Sequence, residues 1–284
     1  MKPFRWDISR REQLGSLVAG PRPETPARFW EELRECAAKI VARSNHRRLV
    51  FVGRSLESVF DYLSGTFSDT AWEPEVDLLN ISNRFQSLDE IRAKSPAAYL
   101  ALREHFKVLE LAPQQILSNP RGICFCDVVH RGGTFRELFF FLIHWAAEKN
   151  LDPKALCRKL EFLGVTSRTK NSPNTWRWQQ HADWVEQHGI AVKNVSIPGD
   201  LWHYFGNEQE KVSRGNPPVT WESDAILLPP RLEGHILALR LAFDVFRRGQ
   251  AEKKDFSTSL AELEEVREAW LRGLIGQLRR SPRS

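Results

Sequence analysis

The sequence predicts an α/β fold: three layers, αβα, around a largely parallel central sheet of about five strands, with an N-terminal helix and C-terminal helices added. Three observations carry this. Short apolar runs recur at 49–52, 76–81, 122–128, 160–167 and 189–195, which is how strands buried on both faces read. Segments of helical length lie between them, so strand and helix alternate as right-handed βαβ units require. Glycine-bearing turns, Gly53-Arg54-Ser55 and Gly132-Gly133-Thr134, follow the first and third runs.

Taken in order, residues 1–24 lack periodicity and contain Gly20-Pro21-Arg22-Pro23, the pattern of an irregular arm. Thr25-Pro26 supplies a hydroxyl cap and a first-turn proline for a helix to about Arg43, with Phe29, Trp30, Leu33, Ala37 and Ile40 on one face. After the first strand, Ser55 is placed to cap a helix whose core face is Val59, Phe60 and Leu63, and Ser64-Gly65 is read as its end. The second strand, 76–81, runs into Ser82-Asn83-Arg84, and Ser95-Pro96 opens a helix to about Leu117. The third strand's helix reaches about Lys149, and Leu151-Asp152-Pro153 starts a short one. The fourth strand is 160–167; Asn174 is a candidate cap for a helix over 175–188, and 189–195 is the fifth strand. The aromatic, proline-rich stretch 197–230 yields no assignment. An amphipathic helix follows at 232–248, then one over 259–278 with a Leu260, Leu263, Val266, Trp270, Leu274 stripe. The organisation expected is an arm and helix over 1–47, a core over 48–200, and an aromatic loop region with helices over 201–284 packed on that core.

Composition narrows the class. The chain has 284 residues, enough for a substantial core without staples. Four cysteines, Cys36, Cys124, Cys126 and Cys157, lack disulfide or zinc spacing and read as free thiols in a reducing compartment. Cys124 and Cys126 are assigned to opposite sides of their strand. The N-terminus lacks a signal-like apolar run and the longest apolar stretch, 138–147, is too short to span a bilayer. A cytoplasmic protein without a membrane partner is expected. The 41 basic residues are mixed with 36 acids, which argues against a nucleic-acid surface despite ten tryptophans. The densest basic cluster, Arg279-Arg280-Ser281-Pro282-Arg283, reads as a frayed tail. Mild positive charge suits phosphorylated ligands.

The most informative stretch is Gly122-Ile123-Cys124-Phe125-Cys126-Asp127-Val128-Val129-His130-Arg131-Gly132-Gly133-Thr134. It orders as buried strand, acid, glycine turn and helix, and such a turn aims backbone N–H groups and a helix N-terminus at one spot, a natural phosphate site. It resembles the ribose-phosphate loop of the type I phosphoribosyltransferase family: apolar strand, two acids, two small apolar residues, two threonine-like residues, then Gly-Gly-Thr. Asp127, Val128-Val129, Gly132, Gly133 and Thr134 agree in kind. Cys126 stands at the first acid, and His130 and Arg131 stand at the threonine positions. The resemblance covers about 48–200 and is sharp at 122–140.

The resemblance implies that Gly132, Gly133 and Thr134, with the backbone of His130 and Arg131, cradle a 5′-phosphate. It implies that Asp127 binds the ribose hydroxyls, as the catalytic carboxylate and the protein ligand of Mg²⁺, and that Gly53, Arg54 and Ser55 hold pyrophosphate. An arginine fork suits a diphosphate. The function so implied is binding of Mg²⁺–phosphoribosyl pyrophosphate or a nucleotide, with formation or cleavage of an N-glycosidic bond to a base-like acceptor. The alternative is a non-catalytic regulatory protein that reads the same ligand, since a thiol at Cys126 cannot accept the paired hydrogen bonds of a carboxylate. A nucleophilic Cys126 finds no base nearby. Arg168 and Lys170 sit at the carboxyl edge after the fourth strand, where a solvated loop is the plainer reading. Trp176, Trp178 and Trp184 read as core, with one free to stack a base. Residues 194–207 fit a base pocket and a capping loop equally. A homodimer is admitted.

Overall fold

The structure, a computed structural model, describes residues 5–82, 87–168, 178–221 and 231–280. Expectations at Asn83, Arg84, Lys170, Asn174, Trp176 and 281–283 fall outside them. Five parallel strands, β1 Arg48–Val52, β2 Val76–Leu79, β3 Ile123–Val128, β4 Leu160–Ser167 and β5 Ala191–Ile197, pair in the order β2-β1-β3-β4-β5. The sheet is the middle of three layers, as the apolar runs predict. Leu49, Phe51, Cys124, Cys126, Leu163 and Val165 face one helical layer; Val50, Val52, Ile123, Phe125, Leu160 and Phe162 face the other. β5 is the one-sided edge: Val195 and Ile197 are buried while Ala191, Lys193 and Ser196 are exposed.

The longer helices are α1 Phe29–Arg43, α2 Glu57–Phe67, α3 Pro96–Val108, α4 Gly133–Glu148, α5 Glu233–Ala251, α6 Lys253–Ala261 and α7 Ala269–Arg280. α1, α2 and α5–α7 contribute to the first layer, α3 and α4 to the second. Asp152 caps the short helix Pro153–Lys159, accepting from the Lys154 N–H at 2.9 Å.

Several boundaries differ from expectation for identifiable reasons. The arm holds a short helix, Arg11–Leu14, and a 3₁₀ turn, Gly15–Val18. α1 begins at Phe29, three residues beyond Pro26, whose carbonyl accepts from the Phe29 N–H at 2.9 Å. Gly65 does not end α2: the helix runs on to Phe67 because Gly65 is a crossing point. A Cβ there would lie 2.0 Å from the Phe246 carbonyl oxygen, and one on Gly249 would lie 2.2 Å from that of Tyr62. The helix expected over 96–117 is two, α3 and Pro113–Ser118, separated at Leu109–Ala112, and Leu88–Lys94 precedes them unforeseen. Residues 178–181 form a 3₁₀ turn, and the helix beyond is only Asp183–Gln187. The last helix is broken into α6, a 3₁₀ turn Glu264–Arg267, and α7. Arg279 and Arg280 end α7 rather than fraying, and the Arg279 Nε donates to the Ser257 hydroxyl at 3.3 Å.

Cys124 and Cys126 share one face, with sulfurs 3.8 Å apart, because residues two apart in a strand point the same way. Both are fully buried. Burial pushes the Cys124 thiol up, and Cys36 up to about 12, which disfavours the thiolate at both. Among the described residues no helix is long and apolar enough to cross a membrane.

Candidate functional site

Strand order reverses between β1 and β3, which are neighbours. In open parallel sheets the crevice outside the carboxyl ends at such a switch point is where ligands bind. The turns after β1 and β3 are the two that the sequence singles out, and the topology brings them to this crevice.

The turn after β3 is built around Gly132. Its φ is +75°, and a Cβ on it would stand 2.3 Å from Trp178 Cε3. Glycine is therefore required twice, for the left-handed backbone and for the indole. Trp178 also fills the space a Cβ on Gly164 would need, at 2.6 Å, and its Nε1 donates to the Asn194 carboxamide at 2.9 Å. Trp178 and Trp184 are core residues. Gly132 stands at the cap position of α4, where no side-chain hydrogen bond is made among the described residues. The first-turn N–H groups of this 16-residue helix are therefore left without a side-chain cap. A Cβ on Gly133 would meet nothing within 4 Å, and His130, Arg131, Gly133 and Thr134 are all exposed.

Asp127, 8 % exposed, is the penultimate residue of β3 and accepts at Oδ1 from its neighbour's N–H, that of Val128, at 2.7 Å. Burial pushes its carboxyl up to about 8; the Val128 bond and the Lys211 charge only partly oppose this. Cys126 packs in the apolar cluster with Cys36, Phe51 and Leu163. An acid at position 126 would be driven into that core.

The turn after β1 is set by Gly53, φ +72°, whose N–H donates to the Leu79 carbonyl at 2.9 Å. Ser55 does not cap α2: Leu56 holds that position without a side-chain bond. Arg54 donates from Nη1 to the Ser213 carbonyl at 3.0 Å. That contact exposes what sequence reasoning missed, a strap at 209–216 lying over the carboxyl ends of β1 and β2. Buried Glu57 accepts from the Val212 N–H at 3.0 Å and from the Ser213 hydroxyl. Asn80 Nδ2 donates to the Arg214 carbonyl at 3.2 Å, and Asn216 Nδ2 to the Asn80 carbonyl at 3.0 Å. Lys211 Nζ donates to the Phe205 carbonyl at 2.8 Å, Gln209 Oε1 at 3.0 Å and the Ser55 carbonyl at 3.4 Å. Desolvation lowers this ammonium to about 8, with Arg54 adding to the fall and Glu57, Asp127 and Asp61 resisting it. The signal in the sequence was Lys211-Val212-Ser213-Arg214-Gly215-Asn216, a polar run between aromatic segments.

Residues 199–208, within the stretch that fitted a pocket or a cap, form a helix Gly199–His203 and a π turn Tyr204–Glu208. Leu201, Tyr204 and Phe205 are buried, and Trp202 Nε1 donates to the Val165 carbonyl at 3.1 Å, which makes this segment a packed cap. Arg168 is held to β5, its N–H donating to the Ile197 carbonyl at 2.6 Å.

No group of three or more His, Cys, Asp or Glu side chains suited to a metal occurs among the described residues. One carboxylate such as Asp127 fits Mg²⁺ only where phosphate oxygens and water complete the shell. No protein-family model, curated protein or solved structure matches this chain.

Proposed function

We propose that this chain is phosphoribosyltransferase-like: it binds Mg²⁺–phosphoribosyl pyrophosphate or a nucleotide in the β1/β3 crevice and makes or breaks an N-glycosidic bond to a base-like acceptor. The observation that carries the reading is the pairing of two glycine turns, Gly53 and Gly132 both at positive φ, across the switch point of a parallel sheet. In this reading the uncapped start of α4, with the backbone of His130 and Arg131, receives the 5′-phosphate, and Gly53-Arg54-Ser55 receives the diphosphate. Displacement breaks the bond from the anomeric carbon to a pyrophosphate oxygen and forms one to a base nitrogen. Positive charge grows on the sugar, where an ionised Asp127 stabilises it, and negative charge on the leaving group, where Arg54 does. Mg²⁺ bound with the diphosphate would screen its charge in this reading, and Asp127 is the carboxylate that would hold it. A cation nearby would favour loss of the Asp127 proton.

Calorimetric titration with phosphoribosyl pyrophosphate, with and without Mg²⁺, on wild type and Asp127→Ala tests this. Binding by wild type that weakens in the variant is expected; no binding by wild type would sink the reading. A second reading, a non-catalytic sensor of the same ligand, is favoured by one observation: Cys126 points into the core, leaving Asp127 without a second acid. Pyrophosphate release dependent on added base selects the enzyme; binding without release, across the common bases, selects the sensor.

A further inference from the structure

We propose that Lys211 is a binding residue of this site, acting with Arg54 on one diphosphate, and that the 209–216 strap is a wall of the site rather than a cover over it. This rests on the diphosphate reading of the turn after β1. Two bonds tie strap and turn together: Arg54 reaches over to the Ser213 carbonyl, and Lys211 reaches back to the Ser55 carbonyl. Arg54 is thus held by the backbone of the strap, and Lys211 by that of the turn. The 3.4 Å bond to Ser55 is the longest of the three that Lys211 makes, and is the one a phosphate oxygen replaces at least cost. The Phe205 and Gln209 bonds then keep the ammonium in place.

The surroundings of Lys211 define how this should respond to pH. Glu57 and Asp61 of α2 face it, Asp61 being itself engaged by Arg5 at 2.6 Å; Arg54 faces it from the turn after β1 and Asp127 from β3. From α5, the His235 ring meets the Lys211 carbonyl at 2.8 Å. Loss of the Lys211 charge as pH rises through about 8 weakens anion binding, and Asp127→Asn serves as the control for the neighbouring carboxyl.

The probe is inorganic pyrophosphate, titrated calorimetrically into wild type, Lys211→Met, Lys211→Arg and Asp127→Asn between pH 7 and pH 9, with phosphoribosyl pyrophosphate run in parallel. Lys211→Met should weaken pyrophosphate about tenfold or more, with Lys211→Arg restoring most of it. Wild-type affinity should fall toward pH 9, and Lys211→Arg should flatten that fall because a guanidinium stays charged. Lys211→Met binding as wild type does overturns this inference and leaves the functional reading standing. Lys211→Arg that restores none of the binding lost in Lys211→Met also overturns it, because a second cation at that place should serve a phosphate. Wild type that binds neither probe overturns both. Should Lys211→Met fail to fold, the pH profile of Lys211→Arg decides.

Discussion

Asp127 is a residue whose charge state the fold has displaced. Its carboxyl is raised from 3.8 to about 8, so the folded chain holds a proton that the unfolded chain releases. The stability this contributes is complete below about pH 4 and is lost as pH rises through about 8. Asp127→Asn lacks the penalty. Denaturant unfolding at pH 6 and pH 9 should show the variant's stability declining less than the wild type's, since Asp61, raised to about 7, and Lys211, lowered to about 8, titrate in both chains; the ligand-free variant should be the more stable at pH 9. A wild-type decline no steeper than the variant's would contradict the buried acid. Gly132 makes the opposite case, a residue with no chemistry and two constraints. Gly132→Ala must adopt φ +75° and push into Trp178, and about 2–4 kcal/mol of stability should be lost, measured by the same unfolding curves. The glycine itself was legible in the sequence; its indole partner, 46 positions on at Trp178, was not, because nothing local ties them. The thiol at Cys126 was legible as a departure from the motif, yet its direction was read wrongly, as strand parity places it with Cys124.

At the level of elements, the strands were the readable part. Doubly buried parallel strands need unbroken apolar runs, and β1, β3 and β4 announce themselves that way. Helix ends were harder because glycine has two uses. Gly65 looks like a stop and is instead the place where α5 lies backbone to backbone on α2. Alanine at Gly249 gains about 1 kcal/mol of helix propensity but drives a methyl into the Tyr62 carbonyl. The net expectation for Gly249→Ala is a loss of about 2–4 kcal/mol, visible as a lowered melting temperature with native-like helical content below it. An unchanged melting temperature would mean that the two helices can separate freely. The strap was unreadable for a different reason. Its order comes from bonds to Arg54, Glu57 and Asn80 that span 134 to 159 positions, and such pairings leave no period in the sequence.

In the molecule as a whole, one apolar cluster draws on Phe29 and Leu33 near the start of the chain and on Leu271, Leu274 and Leu278 near its end. α2 is seated by α5 and α6: Tyr62 donates its hydroxyl to Glu252 across 190 positions at 3.2 Å, and its ring meets that of Phe256 edge-on. This sets an order of events during synthesis. The sheet can begin to assemble once β3 has emerged, but α2 has no partner for its outer face until the chain has been read past residue 256. Contacts of such long sequence separation form late and slowly. A nascent chain therefore carries an exposed apolar groove for most of its time on the ribosome, the state in which chaperones bind and aggregates start. A chain ended at residue 231 should accordingly be recovered mainly in the insoluble fraction, and supplying 232–280 as a separate fragment during refolding should rescue it. A soluble, cooperatively melting 1–231 fragment would show that the C-terminal helices are dispensable for closing the core.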